Sequence, residues 1–478
     1  MDRLLEQAYN PEKFRALGHD LIDLLAGHLE GAVKGEGKVL KWKSPADQLK
    51  NWQENILTDQ PLVDFFREII ENSIHIHNPR YMGHQVGATA PVAALTDMLG
   101  ALLNNGMAIY EMGPAASAIE NVVVGLFLKK LGYGADGDGY ITSGGTLANL
   151  TALLAARKAM SEKDIWQEGH TEKLAVMVSS EAHYCVDRSL RIMGFGSEGI
   201  IKIPVDKRFC MDTMLLEQYL QDAATKGITV IAVAGSAPST ASGMYDDLEE
   251  IGRFCRKHSL WFHVDGAHGG AAIFSLKYKH LLKGIEMADS VVIDAHKMMM
   301  APVLATFLLF KNKVHSYATF NQKALYLWEK QEEEEWYNYA KRTFECTKLM
   351  MSVKFYTIVK AYGIGIFDEF VTRQYDLGKT FAEKIRQHKN FELFLEPDSN
   401  IVCFRYFTEI LDDTALNDLN SLIRRKVLEL GDFYIVHTTL NGNTWLRVSL
   451  MNPFTGDSTL DDLLNHLVII ADELLLTK

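Results

Sequence analysis

A lysine follows a short apolar run in the segment Ser290-Val-Val-Ile-Asp294-Ala-His296-Lys297. The run from Ser290 to Ile293 is apolar and β-branched, which predicts a buried strand. Lys297 therefore lies just beyond the carboxyl end of a strand, where open α/β sheets bind their ligands. A partly desolvated amine in such a place can be neutral and nucleophilic, and can form a Schiff base with a carbonyl group. Taken alone, the segment fits a surface lysine better.

A carboxylate occupies a similar position in His263-Val264-Asp265-Gly266-Ala267-His268. It follows the apolar run Leu260 to Val264, so Asp265 and Lys297 are expected at the same edge of one sheet. A carboxylate there can keep a ring nitrogen protonated, which makes a bound heteroaromatic ring an electron sink. The small residues after Asp265 let a flat ring approach the backbone.

Two further segments carry suitable groups. Thr142-Ser-Gly-Gly145-Thr146-Leu-Ala-Asn-Leu150 places glycines and hydroxyls ahead of apolar residues at helical spacing, so a helix N-terminus is expected at Gly145 and Thr146. Free amides and the helix dipole there bind phosphate, although a plain capped turn is the alternative.

His183 follows the run Leu174 to Val178 and can stack on a planar ring, although a structural histidine is the alternative.

These segments need a common scaffold, and the pattern from about residue 80 to 365 predicts it. Short apolar runs alternate with amphipathic helices, which indicates a mostly parallel sheet with helices on both faces. Up to about residue 78 the pattern is helical, and 366–478 mixes helices with strands such as Ile401 to Phe404. We therefore predict three parts: 1–78, a helical dimerisation segment; 79–365, the large α/β domain; and 366–478, a small α+β domain. The predicted strands are Leu174–Val178, Ile228–Val233, Leu260–Val264, Ser290–Ile293, Thr306–Phe310 and Trp445–Leu450, and a helix is predicted over Phe344–Lys360.

The composition excludes several classes of protein. The 478 residues are 47% hydrophobic and 23% charged, which is typical of a globular protein. A net charge of −12 argues against nucleic acid or an anionic membrane as partner. The five cysteines show no CxxC spacing, which favours reduced thiols. No apolar run approaches the ~20 residues of a membrane helix, and the start does not resemble a secretory signal, so we expect a cytoplasmic protein.

The joint order of the four segments is more specific than any one of them. Thr146, His183, Asp265 and Lys297 occur in this order, and with them the chain resembles the group II pyridoxal-phosphate decarboxylases, which act on aromatic amino acids, glutamate, histidine or 2,4-diaminobutyrate. The resemblance extends from about Asn78 to Val448. It implies a fold type I (aspartate-aminotransferase-like) fold, pyridoxal 5'-phosphate as cofactor, and conversion of an L-amino acid to an amine and carbon dioxide. It also implies a homodimer whose active-site loop comes from the second subunit.

The resemblance carries roles over residue by residue. It implies that Lys297 forms the internal aldimine, that Asp265 pairs with the pyridine nitrogen and that His183 stacks on the ring. It implies a proton donor at Tyr337, with Tyr339 as the alternative. The remaining implied contacts are Gly145 and Thr146 to the phosphate, Thr240, Ala267 and His296 to the cofactor, and Tyr81, His84 and Arg447 to the substrate.

The chain also departs from the family pattern. The usual Asn-Pro before His-Lys is Asp294-Ala295, so a carboxylate stands where a neutral phosphate contact is usual and is expected to face elsewhere. The segment Gly235-Ser-Ala-Pro238 resembles the sphingosine-phosphate lyases, which keeps a carbon-carbon lyase or an aldehyde-forming decarboxylase or deaminase open as alternatives.

Two other questions stay open. A divalent-metal enzyme is a distant alternative that would use the histidines and carboxylates of His263-x-Asp265 and Asp294-x-His296, but it leaves Lys297 unexplained, so no metal is expected. The substrate side chain is open among aromatic, acidic and diamino types, with the acidic run Glu332–Glu335 weakly favouring a cationic one.

Overall fold

The structure, a computed structural model, describes residues 3–320 and 335–476. These residues divide into two compact units. The large unit comprises the described residues within Gln85–Gly378 and Leu395–Val402. The small unit comprises those within Met1–His84, Lys379–Phe394 and Cys403–Lys478. The three-part division predicted from the sequence stays a prediction.

The described residues fold into the following helices and strands. The helices are α1 (Arg3–Ala8), α2 (Pro11–Val33), α3 (Pro45–Asn55), α4 (Leu62–Glu71), α5 (Pro91–Leu103), α6 (Pro114–Leu131), α7 (Gly145–Met160), α8 (Ile165–Glu168), α9 (Tyr184–Ile192), α10 (Leu216–Thr225), α11 (Leu248–His258), α12 (Ala295–Met298), α13 (Lys313–Ala318), α14 (Met351–Tyr362), α15 (Gly365–Gln387), α16 (Asp413–Leu430) and α17 (Asp457–Leu476). The strands are β1 (Asp138–Thr142), β2 (Leu174–Ser179), β3 (Ile200–Ile203), β4 (Thr229–Ser236), β5 (Trp261–Asp265), β6 (Ser290–Asp294), β7 (Thr306–Phe310), β8 (Phe391–Leu393), β9 (Ile401–Tyr406), β10 (Val436–Leu440) and β11 (Asn443–Ser449).

The large unit is built on a seven-stranded sheet in the order β1-β7-β6-β5-β4-β2-β3. The strands from β3 through β2, β4 and β5 to β6 pair in parallel. Strand β7 runs antiparallel to both β6 and β1. Strand β1 therefore points the same way as β6, so the residues that follow β1 reach the same edge of the sheet as those that follow the parallel strands.

Both faces of this sheet are covered, because successive strand side chains point to opposite sides. Val292 and Leu308 belong to the core on the α7 side, together with Ala152 of that helix. Phe307 lies on the other side, where its ring stacks on Phe127 of α6 at 3.9 Å and meets Phe355 of α14. Continuous apolar strands are expected when helices cover both faces. The predicted fold class, a mostly parallel sheet between helices, is confirmed.

The predicted strands are confirmed with small differences at their ends, but one helix boundary is wrong. The helix predicted from Phe344 begins at Met351. The preceding residues are held in turns, because the Lys348 ammonium inserts between the Glu120 carboxylate and the carbonyl oxygen of Ile141, 2.7 Å away. A contact across more than 200 residues of sequence overrides the local helical pattern at this point.

The small unit contains the N-terminal helices α1 to α4. Asn10 and Ser44 accept hydrogen bonds from the first backbone amides of α2 and α3, each of which starts with proline. A second sheet has the order β10-β11-β9-β8, with antiparallel pairing of β10 with β11 and of β8 with β9. Helix α16 packs on β10 and β11 and on α17. None of the helices in 3–320 and 335–476 combines the length and the apolar character that a bilayer crossing requires.

Candidate active site

A cavity of about 350 Å³ lies in the large unit, beyond the carboxyl ends of β1, β2, β4, β5 and β6. Each of these strands is followed by residues that line it, as expected for an open α/β sheet. Every cofactor contact predicted in this unit lines the cavity: Gly145, Thr146, His183, Thr240, Asp265, Ala267, His296 and Lys297. The structure therefore brings together groups that are up to 152 positions apart along the chain, from Gly145 to Lys297.

Lys297 sits on the short helix α12, directly after β6, with its ammonium 3.0 Å from Oδ2 of Asp294. Burial opposes the charge of this lysine, but the carboxylates of Asp294 and Asp265 outweigh burial and raise the pKa of Lys297. The sequence led us to expect a neutral amine at Lys297, whereas the structure pairs it with Asp294 as an ammonium.

Asp294 does not face elsewhere, as the sequence led us to expect, but is buried at the cavity wall. Its Oδ1 accepts a hydrogen bond from the Thr306 hydroxyl at 2.5 Å. Oδ2 lies 3.6 Å from Nε2 of His296, whose Nδ1 is 3.0 Å from the carbonyl oxygen of Ala305. The lysine three residues on compensates the carboxylate, which is why the burial is tolerated.

Asp265 ends β5, and its Oδ1 accepts a hydrogen bond from the backbone N–H of Ala267 at 3.2 Å. The glycines that follow allow close packing behind the cavity. A Cβ at Gly269 would lie 2.0 Å from the Tyr245 hydroxyl, and one at Gly270 would lie 2.7 Å from a side-chain carbon of Ile293. Side chains larger than hydrogen are excluded at both positions, so the turn holds Asp265 and Ala267 against the cavity.

The predicted phosphate turn begins α7 as expected. Gly144 has a φ of +117°, which only glycine adopts readily, and it turns the chain from β1 into the helix at Gly145. A Cβ at Gly145 would lie 3.3 Å from both carboxylate oxygens of Asp294. The first amides of α7 thus open onto the cavity beside a carboxylate.

His183 immediately precedes α9, and its Nδ1 accepts the backbone N–H of Cys185 at 3.3 Å. Burial lowers the pKa of His183, although the nearby Asp265 carboxylate acts in the opposite direction. Because Nδ1 is an acceptor, the neutral ring carries its proton on Nε2. Burial also raises the pKa of the Cys185 thiol, which keeps it protonated.

The sequence did not reveal a buried chain of hydrogen bonds behind the cavity. The indole Nε1 of Trp261 donates to Oγ of Ser290 at 2.9 Å, because an indole can only donate. The Ser290 hydroxyl then donates to Nδ1 of His263 at 2.8 Å, and Nε2 of His263 donates to Oδ1 of Asn149 at 2.7 Å. Asn149 Nδ2 in turn donates to the carbonyl oxygen of Gly145 at 2.9 Å. The sequence feature that could have indicated this chain is a polar residue in each of two apolar strands, His263 in β5 and Ser290 in β6.

The two candidate proton donors differ in their surroundings. Tyr339 is buried, with its ring 4.0 Å from the Lys348 ammonium, and burial raises its pKa far above the usual range. Tyr337 is partly exposed and packs edge-on against Tyr110, with ring centroids 5.5 Å apart. Neither residue lines the cavity of its own chain.

The predicted substrate residues lie together in the small unit. The ring of Tyr81 stacks on that of Tyr434 at 5.4 Å, and its hydroxyl donates to the carbonyl oxygen of His84. Arg447 is buried in β11. Burial lowers the pKa of His84, and Arg447 and Arg424 lower it further, which shows that the cations are close to this imidazole.

The histidines that suggested a metal site have other partners. His263 is bound on both ring nitrogens, by Ser290 and Asn149, and does not line the cavity. His268 lines the cavity, with Nε2 2.8 Å from Oδ1 of Asn400. Glu335, the described part of the acidic run, is buried and bound to Lys341. Glu332–Glu334 lie outside the described residues.

The cavity suits the cofactor that the resemblance implies. Pyridoxal phosphate has an aldehyde, a pyridine nitrogen and a phosphate, and the cavity offers a lysine, a carboxylate and a helix N-terminus in one place. The Asp294 carboxylate is the one feature that opposes a phosphate there.

Comparison with known proteins agrees with this geometry. The model of the pyridoxal-dependent decarboxylase conserved domain matches residues 45–407. The aromatic-L-amino-acid decarboxylase of Bacillus atrophaeus is 26% identical over 97% of this chain and 96% of its own length. The human acidic amino acid decarboxylase GADL1 is 26% identical over 91% and 87%. The crystal structure of mouse CSAD has the same fold, with a TM-score of 0.89 and 24% identity over 97% and 99% of the two chains. The chain therefore belongs to the pyridoxal-dependent decarboxylase family and is a carboxy-lyase that uses pyridoxal phosphate.

Proposed function

We propose that Lys297, Asp265 and His183 carry out the chemistry by which this chain decarboxylates an L-amino acid to its amine. The observation that supports this most directly is their placement around one cavity with the N-terminus of α7. When bound, pyridoxal phosphate supplies a carbonyl for the amino group and a ring that accepts the electrons left when carbon dioxide departs. The residues of the chain hold this group, orient the substrate and move protons.

Lys297 is the residue that bonds to the cofactor. Its ammonium is held by Asp294 at 3.0 Å, so the amine is positioned before it loses its proton. Asp265 would keep the pyridine nitrogen protonated, because its negative charge favours the protonated ring, and the N–H of Ala267 orients the carboxylate. His183 stacks on the ring as the neutral imidazole.

The remaining cofactor contacts follow from the cavity. Gly145 and Thr146 bind the phosphate through the first amides of α7. Thr240, Ala267 and His296 line the space that the ring fills. These assignments rest on position in the cavity and on the chemistry of each group.

The substrate contacts that we propose are in the small unit. Arg447 binds the carboxylate of the amino acid, and Tyr81 and His84 contact its side chain. The proximity of Arg447 to His84 supports a common site for them. The named relatives act on aromatic or acidic amino acids, so this arrangement does not by itself select the side chain.

The proposed assembly is a homodimer in which Tyr337 serves the cavity of the second subunit. Helix α5 supports the dimer because it exposes a row of apolar side chains, and an exposed apolar patch of this kind marks a protein–protein contact. The row consists of Leu95, Met98, Leu99, Leu102 and Leu103. The proposed location is the cytoplasm, which agrees with all five cysteines being free thiols.

The reaction is tested by its products. The purified chain, loaded with pyridoxal phosphate, is offered the twenty amino acids, ornithine and 2,4-diaminobutyrate, and released carbon dioxide is measured. We expect one class of side chain to give amine and carbon dioxide in equal amounts. Aldehyde and ammonia in place of amine, or cleavage without carbon dioxide, would assign the chain to one of the alternative reactions.

A further inference from the structure

The carboxylate of Asp294 is almost fully buried at the cavity wall, so solvent gives its charge little support. Its side chain is 2% exposed. Lys297 and Thr306 bind its two oxygens, and His296 lies further away at 3.6 Å. Its backbone N–H is held by the carbonyl oxygen of Ala267 at 3.0 Å, so the residue is fixed at this place.

The same carboxylate lies against the turn to which we assign the phosphate. A Cβ built on Gly145 would be 3.3 Å from each of its oxygens. Gly145 is the first residue of α7, whose free amides form the anion site. A phosphate bound there is therefore a close neighbour of Asp294, and both are acids.

The charges around the cavity do not balance these two anions. Among the described residues that line it, Lys297 is the sole lysine or arginine. Asp265 adds a second carboxylate, while His183 and the Cys185 thiol are neutral, and His268 and His296 also line the cavity. A phosphate monoester brings a further charge of about −1.5 to −2 at pH 7. One ammonium, together with the His296 imidazole 3.6 Å from Asp294, is left to compensate a carboxylate and a phosphate.

Without the phosphate, Asp294 is ionised. Burial alone would favour its neutral form, but the charges of Lys297 and His296 and the hydrogen bond from Thr306 outweigh burial and lower its pKa. A neighbouring anion acts in the opposite direction, because two like charges in one buried site cannot both be kept.

We propose that Asp294 meets the cofactor phosphate as a neutral carboxylic acid, so that binding of the phosphate is accompanied by uptake of one proton between the two. The acid then donates a hydrogen bond to a phosphate oxygen, and the carboxylate at this position no longer opposes the phosphate. The inference rests on the proposed function, because it assumes that the turn at Gly145 binds phosphate.

The test uses the full chain freed of its cofactor and pyridoxamine 5'-phosphate as the probe. This probe has a phosphate but no aldehyde, so it cannot bond to Lys297. Titration calorimetry at pH 7.5, in buffers with different ionisation enthalpies, gives the number of protons taken up. The wild type is compared with Asp294→Asn, which has nearly the same shape but cannot take up the proton, and with His296→Gln. Protons that the probe itself gains or loses contribute equally in every chain, so they cancel when the proton uptake of the wild type and the variants is compared.

We expect the wild type and His296→Gln to take up about one proton more than Asp294→Asn. The ratio of the wild-type dissociation constant to that of Asp294→Asn should also rise about tenfold as the pH increases from 6.5 to 7.5. Binding that takes up one proton weakens by this factor for each pH unit. The inference is overturned if the wild type and Asp294→Asn take up the same number of protons. It is also overturned if His296→Gln loses the proton uptake while Asp294→Asn keeps it. A wild type that does not bind the probe overturns the phosphate assignment itself.

Discussion

Nε2 of His263 lies 2.7 Å from Oδ1 of Asn149, and this contact joins the strand that carries Asp265 to the helix that begins at Gly145. The Trp261 indole donates to the Ser290 oxygen, which leaves the Ser290 hydroxyl proton for Nδ1 of His263 and the proton on Nε2 for Asn149. This arrangement suits the neutral imidazole, and burial lowers the pKa of His263 to about 4. The parts of the site proposed to bind the pyridine ring and the phosphate are thus held by one set of hydrogen bonds.

The first prediction concerns the acid sensitivity of this link. The pKa of His263 in the folded chain is below the unfolded value of about 6.5, so the unfolded state binds more protons between these limits. The contribution of His263 is complete above pH 6.5 and is lost as the pH falls. We expect the free energy of unfolding to drop by about 2 kcal/mol from this residue between pH 7 and 5. His263→Gln should be less stable than the wild type at pH 7, but its free energy of unfolding should fall less between pH 7 and pH 5. Urea unfolding at both pH values measures this difference. A variant with the same loss as the wild type would contradict the prediction.

The second prediction concerns Lys297. Lys297→Arg keeps a cation beside Asp294 but has no amine that can bond to a carbonyl, whereas Lys297→Ala removes both. Both variants should lose turnover and the visible absorption of the linked cofactor, and neither should gain the mass of a cofactor fixed by borohydride. Peptide mapping that finds the reducible link on another lysine would refute the assignment.

The third prediction concerns Asp265. Asp265→Asn removes the charge that holds a proton on the pyridine nitrogen, at almost unchanged volume. We expect kcat to fall on the order of 10³-fold or more, equivalent to about 4 kcal/mol in the barrier. Asp265→Glu keeps the charge and should retain more activity. A loss below about tenfold in Asp265→Asn, at full cofactor occupancy shown by absorbance, would disprove this role.

The fourth prediction separates the two tyrosines. A phenol that protonates the carbanion after carbon dioxide has left completes the amine. Tyr337→Phe should still release carbon dioxide but form less amine and more aldehyde, either because the carbanion reacts with dioxygen or because the proton goes to the cofactor, which becomes pyridoxamine phosphate. Chromatography of the products would show this. Tyr339→Phe is the matched control, because Tyr339 is buried beside Lys348 and should affect stability rather than the product ratio. The opposite result would move the role to Tyr339. The stretch Gln331–Tyr339 is charged, aromatic and free of strand periodicity, which predicts a lid over the site. Residues 331–334 of this stretch lie outside the described residues.

The fifth prediction concerns the dimer. Leu99→Asp and Leu102→Asp place a charge on the exposed apolar row of α5, so each should dissociate a dimer that uses this face. Ile410→Asp changes an even more exposed apolar residue of the small unit and serves as control. Sedimentation at micromolar concentration should show a dimer for the wild type and the control, and monomer for the α5 variants. An active wild-type monomer would rule out an obligate dimer.

The strands, and the placement of Asp265 and Lys297 beyond their carboxyl ends, were predictable because they depend on local patterns. Buried parallel strands are continuous apolar runs, and the residues that follow their carboxyl ends share one edge. This is why Asp265 and Lys297 could be placed in one crevice from the sequence. The strand Thr306–Phe310 was predicted with both ends correct.

What the sequence did not disclose depends on contacts between distant residues. The position of Asp294 was misjudged, because its tolerance inside the structure comes from Thr306 and from the orientation of Lys297. The role of Asn149 was missed, since its partner His263 is 114 positions away. Local periodicity contains no information about such pairs.

Two of the buried cations that follow Tyr337, Arg342 and Lys348, lie within eleven residues of it. Arg342 lies 2.9 Å from the carboxylate of Asp138 and is surrounded by the rings of Tyr140, Tyr317 and Tyr339, and Lys348 pairs with Glu120. Loss of one partner from a buried pair costs several kcal/mol, so this stretch tolerates little change. Tyr337 itself makes only ring contacts at a partly exposed position. Variation at Tyr337, the proposed proton donor, is thus separated from the residues on which folding depends, and if that proposal holds, natural selection can alter the reaction outcome in this enzyme without first having to rescue the fold.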